Sequence, residues 1–440
     1  MKVLKAATAL SLIFGAAPLS AQPPAPSAQP AARPLTLTRE EQNAITALQL
    51  AAAGPDRAAQ DNALAAARTA ARGADARYAI AHFQLEIGRA RGDAAMQTQA
   101  VDALVDSGLA TSDELPSLLS NQLSRAYSVG DMARTERLMA RIVEVAPNNV
   151  EALADFAQFK SRVRSPVTAA ADRAMSVSLF QRALAANAAM GRPSSESLHR
   201  RALAVAFDST QRINGAPPLA PQVAPQVISF GQKLVAAYPS ATNWRDALLD
   251  YREVAPVDPA LALDIRRMMR AAGALGGERD YFEFAALLGA TGLPGMANVP
   301  VAADMPGEAK AVLDEGVTRG ILDTGKPAIA AAIASLARRA TTARAGLPAL
   351  RTRSAAGTGV QARAAGDASF AFGQYPEAAV FYQAALHRGG EDPNLINTRL
   401  GATLALAGQA AEAEAVLRAV TGPRADLAGF WLVWLAHRPA

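Results

Sequence analysis

The chain has 440 residues, of which 50% are hydrophobic and 19% are charged, and this is ample for one or two large hydrophobic cores. It contains no cysteine, so the fold depends on packing rather than on disulfides, and a cysteine-based metal site is excluded. The formal net charge of +5 comes mainly from dispersed arginines, and aromatic residues make up only 5%. We therefore expect neither the basic patch nor the stacking platform that nucleic-acid binding requires.

The amino terminus has the pattern of an export signal. Lys2 and Lys5 precede an apolar run over 6–19, and a small-residue cleavage motif ends at Ala21. This pattern predicts a secretory signal peptide over 1–21, with an uncleaved amino-terminal anchor as the alternative. No later segment is long and apolar enough to span a membrane. Removal of the two lysines leaves a formal charge of about +3. We therefore expect an exported, periplasmic protein.

A segment rich in proline, alanine and glutamine follows the signal, over 22–37. Such a composition predicts an extended tether without a core of its own. A docking peptide for a proline-recognising partner is the alternative.

Helical hairpins resembling one another are predicted over 38–210. Thr38 and Glu41 have the spacing of a capping box, which predicts a helix amino terminus. Gly-Asp turns at 92–93 and 130–131 each separate two amphipathic stretches. The segment is therefore interpreted as a series of helix–turn–helix units.

The middle of the chain is less regular. A stretch rich in glycine and proline marks 211–225 as a linker and a domain boundary. Irregular hairpins follow over 226–345, where a long loop at 292–306 separates two amphipathic helices. We interpret this loop as an insertion, and a functional role for it is the alternative. A weakly patterned connector carrying arginines then covers 346–359.

The strongest pattern in the chain is a helical hairpin that occurs twice in succession. Three pairs of residues share one offset of 35 positions: Gly366 and Gly401, Gly373 and Gly408, and Ala378 and Ala413. A small residue is needed where two antiparallel helices cross closely, and Gly373 and Gly408 are placed to end the first helix of each hairpin. Asp392 and Pro393 then predict the cap and the first residue of the next helix.

This pattern resembles the tetratricopeptide repeat family, which has a small residue in the first helix, glycine and an aromatic at the turn, and alanine and an aromatic in the second helix. In the first copy these positions are Gly366, Gly373, Tyr375, Ala378 and Tyr382. The tryptophan usual near the start of the first helix is replaced by Ala362 and Asn397. The resemblance implies an all-α solenoid of antiparallel helical hairpins with no sheet, in which 360–440 holds the last repeats and an apolar capping helix.

The family usually recognises ligands on the concave face lined by the first helices of its hairpins. The resemblance therefore implies four candidates for partner binding here: Arg363, Phe370, Thr398 and Arg399. The face lacks the Lys and Asn set of the family's carboxylate clamp, so a partner with a free C-terminal carboxylate is not expected. A mixed apolar and arginine-bearing groove fits a helix or an extended peptide.

The carboxyl-terminal helix is apolar on almost every side. It contains Trp431 and Trp434, two of the three tryptophans in the chain. Because a solenoid normally ends in a cap with a polar outer face, these tryptophans are candidates to anchor a partner or a second copy of the chain. The alternatives are that the helix packs into the groove of the last repeats, or that it lies on a membrane surface.

The sequence offers no convincing catalytic, cofactor or metal motif. None of the four histidines has a histidine or cysteine partner at metal-ligand spacing. Residues 357–362 fit a G-x-G-x-x-A dinucleotide fingerprint, but the strand that must precede it is missing. We predict no catalytic residue, no cofactor and no metal.

The sequence therefore favours a non-catalytic periplasmic repeat scaffold that binds a protein or peptide partner, with self-association left open. An envelope enzyme acting on glycans, with a helical superstructure around a carboxylate cleft, is the alternative from another class. An accessory subunit of a secretion or polysaccharide-export machine is a third interpretation, which differs from the first only in the partner.

Overall fold

The computed structural model describes residues 34–438, except for 112, 163–166 and 212–219. The described part of the chain folds into twenty α-helices and one short 3-10 helix, with no β-strand, which confirms the all-α fold class. The predicted signal peptide at 1–21 and most of the predicted tether lie outside the described residues. Among the helices that are described, none has the length and apolarity needed to cross a membrane.

The chain divides between Val129 and Gly130 into two compact units. The sequence predicts a boundary at 211–225 instead, and 212–219 of that segment lie outside the described residues. The helices on either side of that segment pack closely against each other within the second unit.

The first unit is built from five consecutive helices. They are α1 (Arg39–Ala53), α2 (Arg57–Ala70), α3 (Ala74–Arg91), α4 (Ala94–Asp106) and α5 (Leu115–Ser128). The capping box predicted at Thr38 is present, and its partner Glu41 is buried. Glu41 also accepts hydrogen bonds from the backbone amides of Arg72 (2.7 Å) and Gly73 (2.9 Å), so one carboxylate joins the start of α1 to the start of α3.

The second unit begins with six helices, of which the first five share an apolar core. They are α6 (Met132–Val145), α7 (Val150–Ser161), α8 (Ala169–Ala189), α9 (Glu196–Thr210), α10 (Ala220–Ala237) and α11 (Ala241–Val254). Nine further helices and the 3-10 helix η1 complete the unit. They are α12 (Pro259–Ala271), α13 (Glu278–Leu287), α14 (Pro306–Thr318), α15 (Pro327–Ala355), α16 (Gly359–Ala371), α17 (Tyr375–Arg388), α18 (Pro393–Leu406), α19 (Ala410–Arg418), η1 (Gly422–Arg424) and α20 (Ala425–Ala436). The largest apolar core of the protein lies among these later helices.

The two strong sequence repeats are the hairpins α16–α17 and α18–α19, and their geometry repeats with the sequence. A Cβ atom on Gly366 would lie 2.9 Å from the ring of Tyr382, and one on Gly401 would lie 2.5 Å from Leu417. Gly373 and Gly408 have positive φ angles of 72° and 81° after the first helix of each hairpin. The close approaches explain why each hairpin needs a glycine inside its first helix, and the positive φ angles explain why it needs another at its turn.

The segment 346–359 is not the connector that the sequence predicts, because α15 continues through it to Ala355. Gly346 and Pro348 are helix breakers in isolation, yet both lie inside this helix. Leu347 and Ser354 are buried on its inner side, and this packing outweighs the local cost of the two breakers. The long loop before α14 is also well anchored, since the amide of Ala302 donates to the carbonyl of Leu287 at 2.8 Å.

The carboxyl-terminal helix α20 does not simply cap the last hairpin. It packs on α18 and α19 and also on α10 and α12, which lie far earlier in the chain. Phe430 is fully buried between the rings of Trp244 and Tyr251, at 6.1 Å and 5.7 Å between ring centroids. The last helix therefore joins the end of the second unit to helices from its earlier part.

Candidate functional site

The polar centre of the second unit is helix α12. Asp258 caps it by accepting a hydrogen bond from the amide of Leu261 at 2.6 Å, and Pro259 occupies its first position. The helix is buried around most of its circumference, and its buried residues include three charged ones, Asp264, Arg266 and Arg267. A helix buried on all sides normally carries apolar residues, so these charges need partners on the surrounding helices.

Asp264 is the point where three elements meet. It accepts hydrogen bonds from Arg399 Nε of α18 at 3.2 Å, from Arg267 Nη1 of its own helix at 3.1 Å, and from Arg424 Nη1 of η1 at 2.7 Å. All four side chains are buried. Burial alone would raise the pKa of Asp264, but the three guanidinium groups outweigh it and hold the pKa below its ordinary value.

A second buried carboxylate, Asp367 of α16, continues the network. Arg399 Nη1 donates to both of its oxygens, at 2.9 Å and 3.0 Å, while the hydroxyl of Tyr382 donates at 2.7 Å and Arg363 Nη1 at 2.6 Å. Burial and the neighbouring carboxylate of Asp367 raise the pKa of Tyr382 well above its ordinary value. The phenol therefore stays neutral and acts as a hydrogen-bond donor.

Arg267 forms a bidentate ion pair within the cluster. Its guanidinium binds Glu308 of α14 in a bidentate arrangement, at 3.0 Å and 2.7 Å, and lies 4.5 Å from the centroid of the Phe370 ring. Such paired geometry is the arrangement in which a buried arginine recovers most of its desolvation cost.

The structure brings four of the six predicted partner-binding residues together around this network. Phe370, Thr398, Arg399 and Trp431 line one small cavity with Asp264. The cavity has a volume of about 10 Å³, which is at the lower limit for a single water molecule. None of these four side chains is exposed, because α12 covers the inner face of the last two repeats. A partner could contact them only if α12 moved away.

The other two predicted residues are also engaged within the chain. Arg363 is partly exposed and pairs with Asp367 and with Glu391, the latter at 2.8 Å. Trp434 donates from Nε1 to the carbonyl of Ala271 at 3.1 Å and stacks edge-on against Trp431 at 5.3 Å. That these residues bind a partner stays a prediction. In the structure, Trp434 joins α20 to the end of α12, and Arg363 joins α16 to the turn before α18.

Sequence reasoning missed α12 entirely as part of this site. The signal was present, because Asp264, Arg266 and Arg267 interrupt a run of leucine, isoleucine and methionine. Charged residues in a helical stretch are usually read as its solvated face, and only the tertiary structure shows that no solvated face exists here.

A second charge cluster lies on the other side of α12. Arg266 Nη1 donates to Asp280 at 3.0 Å and Nη2 donates to Glu283 at 2.6 Å, both on α13. Arg245 and Arg252 of α11 pair with the same two carboxylates, at 3.1 Å and 2.5 Å. Every buried carboxylate of the two clusters is therefore opposed by at least one arginine, which is the pattern of a structural ion-pair network.

The first unit contains a further polar cluster, formed by Tyr78, His82 and Glu114. The hydroxyl of Tyr78 donates to Glu114 at 2.7 Å, and His82 Nε2 lies 3.8 Å from the other oxygen of that carboxylate. Burial lowers the pKa of His82, although Glu114 acts in the opposite direction. Glu114 is also held by the amide of Thr111 at 3.1 Å, so it serves the turn that starts α5.

No group of three or more metal-binding side chains is found among the described residues. No family model matches the sequence, and no curated protein matches it either. The fold and the charge clusters are therefore the basis for a proposal about function.

Proposed function

We propose that this protein is an exported, non-catalytic scaffold of tetratricopeptide-like hairpins that binds other proteins through the exposed faces of its helices. The observation that carries the proposal is the repeated hairpin geometry, in which Gly366 approaches Tyr382 as Gly401 approaches Leu417. Hairpins of this kind bury one face on their neighbours and leave the other free, and in repeat proteins such free faces bind partners.

We propose a binding surface outside the face that the resemblance implies. The inner face of α16 and α18 is occupied by α12, with Arg399 paired to Asp264 and Asp367. Partners are therefore expected on the outward surfaces, where Val360 and Val380 are 47% and 63% exposed. Aliphatic side chains exposed to this degree are common on surfaces, so they serve here as probe positions and not as a defined site.

The arginine content of the buried centre also bears on the enzyme alternative. A glycan-cleaving site needs two carboxylates that face an open cleft. Asp264 and Asp367 instead form direct ion pairs with Arg399, and the cavity that Asp264 lines has room for at most one water molecule. An accessory role in a secretion or export machine stays within the proposed function, because it specifies only the partner.

The proposal is tested by photocrosslinking in the intact cell envelope. A photoreactive amino acid is placed singly at Val360, Val380 and Leu50, which are exposed, and at Ala365, which is fully buried, as the control. We expect a defined adduct with another protein from at least one exposed position and none from Ala365. If none of the three exposed positions gave an adduct with another protein, this result would contradict the scaffold proposal.

Export is tested separately on the same preparations. The proposal requires that the chain is recovered from the periplasmic fraction and that its mass corresponds to cleavage after Ala21. A full-length chain in the cytoplasmic fraction would contradict export, and a full-length chain in the membrane fraction would favour the uncleaved anchor.

A further inference from the structure

Helix α15 is the longest helix described, with 29 residues, and its charge is unusual. It contains five arginines and not one aspartate or glutamate: Arg338, Arg339, Arg344, Arg351 and Arg353. At 1.5 Å per residue the helix is about 44 Å long. It therefore presents a long element of single charge.

Among the residues that the structure describes, a carboxylate neutralises only one of the five arginines. Arg339 pairs with Asp304 and also donates to the carbonyl of Gly289 at 2.8 Å. The guanidinium of Arg344 lies over the ring of Phe372 at 4.9 Å, which orders it without removing its charge.

The remaining three also keep their positive charge. Arg351 donates to the hydroxyl of Ser369 at 3.0 Å and to Gln374, both of which are neutral. Arg338 and Arg353 are exposed and have no ion pair with any described residue. Arg388 adds a further positive charge at the end of the helix, where it donates to the carbonyl of Ser354 at 2.7 Å.

The direction of these side chains follows from the buried face of α15. Ile329, Leu336 and Leu347 are buried and define its inner stripe. At 100° per residue, Arg338 lies almost opposite that stripe, and Arg353 lies about 60° from Arg338. The outward positions between them are mainly alanine and threonine, and no large apolar side chain of α15 is exposed.

We propose that the outward face of α15 is a docking surface for an acidic segment of a partner protein. The inference rests on the proposed function, since it assigns one surface and one partner chemistry to the scaffold. Exposed, unneutralised arginines favour carboxylates through charge complementarity and bidentate hydrogen bonds. An anionic membrane surface would also attract them, but a helix that lies on a membrane needs bulky apolar residues beside its charges, and α15 exposes none.

The direct test uses the full chain and a fluorescent helical peptide composed of alanine and glutamate as the probe. The test variant R338E/R353E reverses the two charges on the outward face of α15. The matched control R192E/R279E reverses two exposed arginines elsewhere and changes the net charge by the same amount. We expect binding, measured by fluorescence anisotropy, to weaken about tenfold in the α15 variant and by less than about twofold in the control.

Three results would overturn the inference. The first is that the wild-type chain does not bind the peptide at low ionic strength. The second is that peptide binding weakens equally in both variants. The third is binding of vesicles with anionic lipids that exceeds peptide binding and depends on the same arginines, because this would identify a membrane surface as the occupant.

Photocrosslinking with the same two variants separates this inference from the proposed function. A partner that is captured by the wild type and by the control, and lost from the α15 variant, supports both. A partner that the α15 variant retains overturns the docking surface and leaves the scaffold intact. Absence of any captured protein in all three chains contradicts the scaffold itself.

Discussion

Arg399 and Asp264 lie 135 positions apart in the sequence and form a buried ion pair, in which Arg399 Nε is 3.2 Å and 3.3 Å from the two carboxylate oxygens. The pair joins the first helix of the last repeat to α12. Because Asp264 also binds Arg267 and Arg424, one carboxylate holds α12, α18 and the entry to α20 in one arrangement. The last repeats are therefore a part of a closed assembly of helices and not a free end of a solenoid.

Asp264→Asn is expected to destabilise the second unit strongly. The substitution leaves three buried guanidinium groups without their shared counter-charge, and removal of one member of a buried ion pair costs about 3–5 kcal/mol. Urea unfolding followed by tryptophan fluorescence measures this cost in the second unit alone, because all three tryptophans of the chain lie there.

The control for this prediction is Asp155→Asn. Asp155 is more than half exposed and lies 3.6 Å from Arg201, so its loss should cost less than about 1 kcal/mol. Equal costs for the two substitutions would mean that the buried network contributes no more than a surface pair.

Gly366→Ala and Gly401→Ala should each destabilise the second unit by about 1–3 kcal/mol, because the new methyl group would press against Tyr382 or Leu417. The matched control is Gly346→Ala inside α15, where a Cβ atom would meet nothing within 4 Å. That change should stabilise the helix by about 0.5–1 kcal/mol, since alanine has the higher helix propensity. Thermal unfolding measures all three variants, and a loss of stability at Gly346 equal to that at Gly366 would refute the close-crossing explanation.

The sequence predicted the features of the fold that depend on local pattern. The turn glycines, the cap at Asp392 and the close crossing at Gly366 all follow from spacing within one hairpin, and the structure contains each of them. The placement of α12 and α20 could not be predicted in the same way. It depends on contacts such as Gln232 to the carbonyl of Asp426, 194 positions away, and no local pattern specifies such a distance.

The candidate site was predicted in part for the same reason. Arg399 and Phe370 were identified from the face of the repeat on which they lie, but the occupant of that face was unknown. A charged residue such as Asp264 is ambiguous in a single sequence, because a solvated face and a buried ion pair use the same residue types. The helical state of 346–355 was missed because Gly346 and Pro348 act locally, whereas burial of Leu347 depends on the tertiary structure.

Asp250→Asn should stabilise the second unit in a manner that depends on pH. Burial, together with the nearby carboxylates of Asp246, Asp208 and Glu253, raises the pKa of Asp250 from 3.8 to about 7. Between these two values the unfolded chain ionises while the native chain keeps its proton, so the native state loses stability as the pH rises. The cost is absent below about pH 4 and complete above about pH 7.

The expected gain from Asp250→Asn is therefore about 1–3 kcal/mol at pH 8 and close to zero at pH 4. Urea unfolding at both pH values measures it, again by tryptophan fluorescence. Asp155→Asn serves as the control and should show a small difference that does not grow with pH. A gain at Asp250 that is the same at pH 4 and pH 8 would show that ionisation of this buried carboxyl is not its cause.

Glu41→Gln should loosen the first unit where α1 meets α3. The carboxylate of Glu41 accepts from the backbone amides of Gly73, Thr38 and Arg72, and these bonds lower its pKa from 4.5 to about 2. A group whose pKa is depressed by folding stabilises the native state above its unfolded pKa, and this contribution is lost as the pH falls from about 4.5 towards 2. A glutamine side chain has a single oxygen and no charge, so it cannot replace all of these bonds.

Hydrogen exchange at Arg72 and Gly73 measures this loosening directly, because both amides are protected by Glu41. Exchange at these two amides should accelerate in Glu41→Gln at neutral pH, and the difference between variant and wild type should shrink as the pH approaches 2. Glu40→Gln is the matched control, since Glu40 is exposed on the same turn of α1. If the neighbouring substitution accelerated exchange equally, the effect would arise from charge near the helix amino terminus and not from the carboxylate that joins α1 to α3.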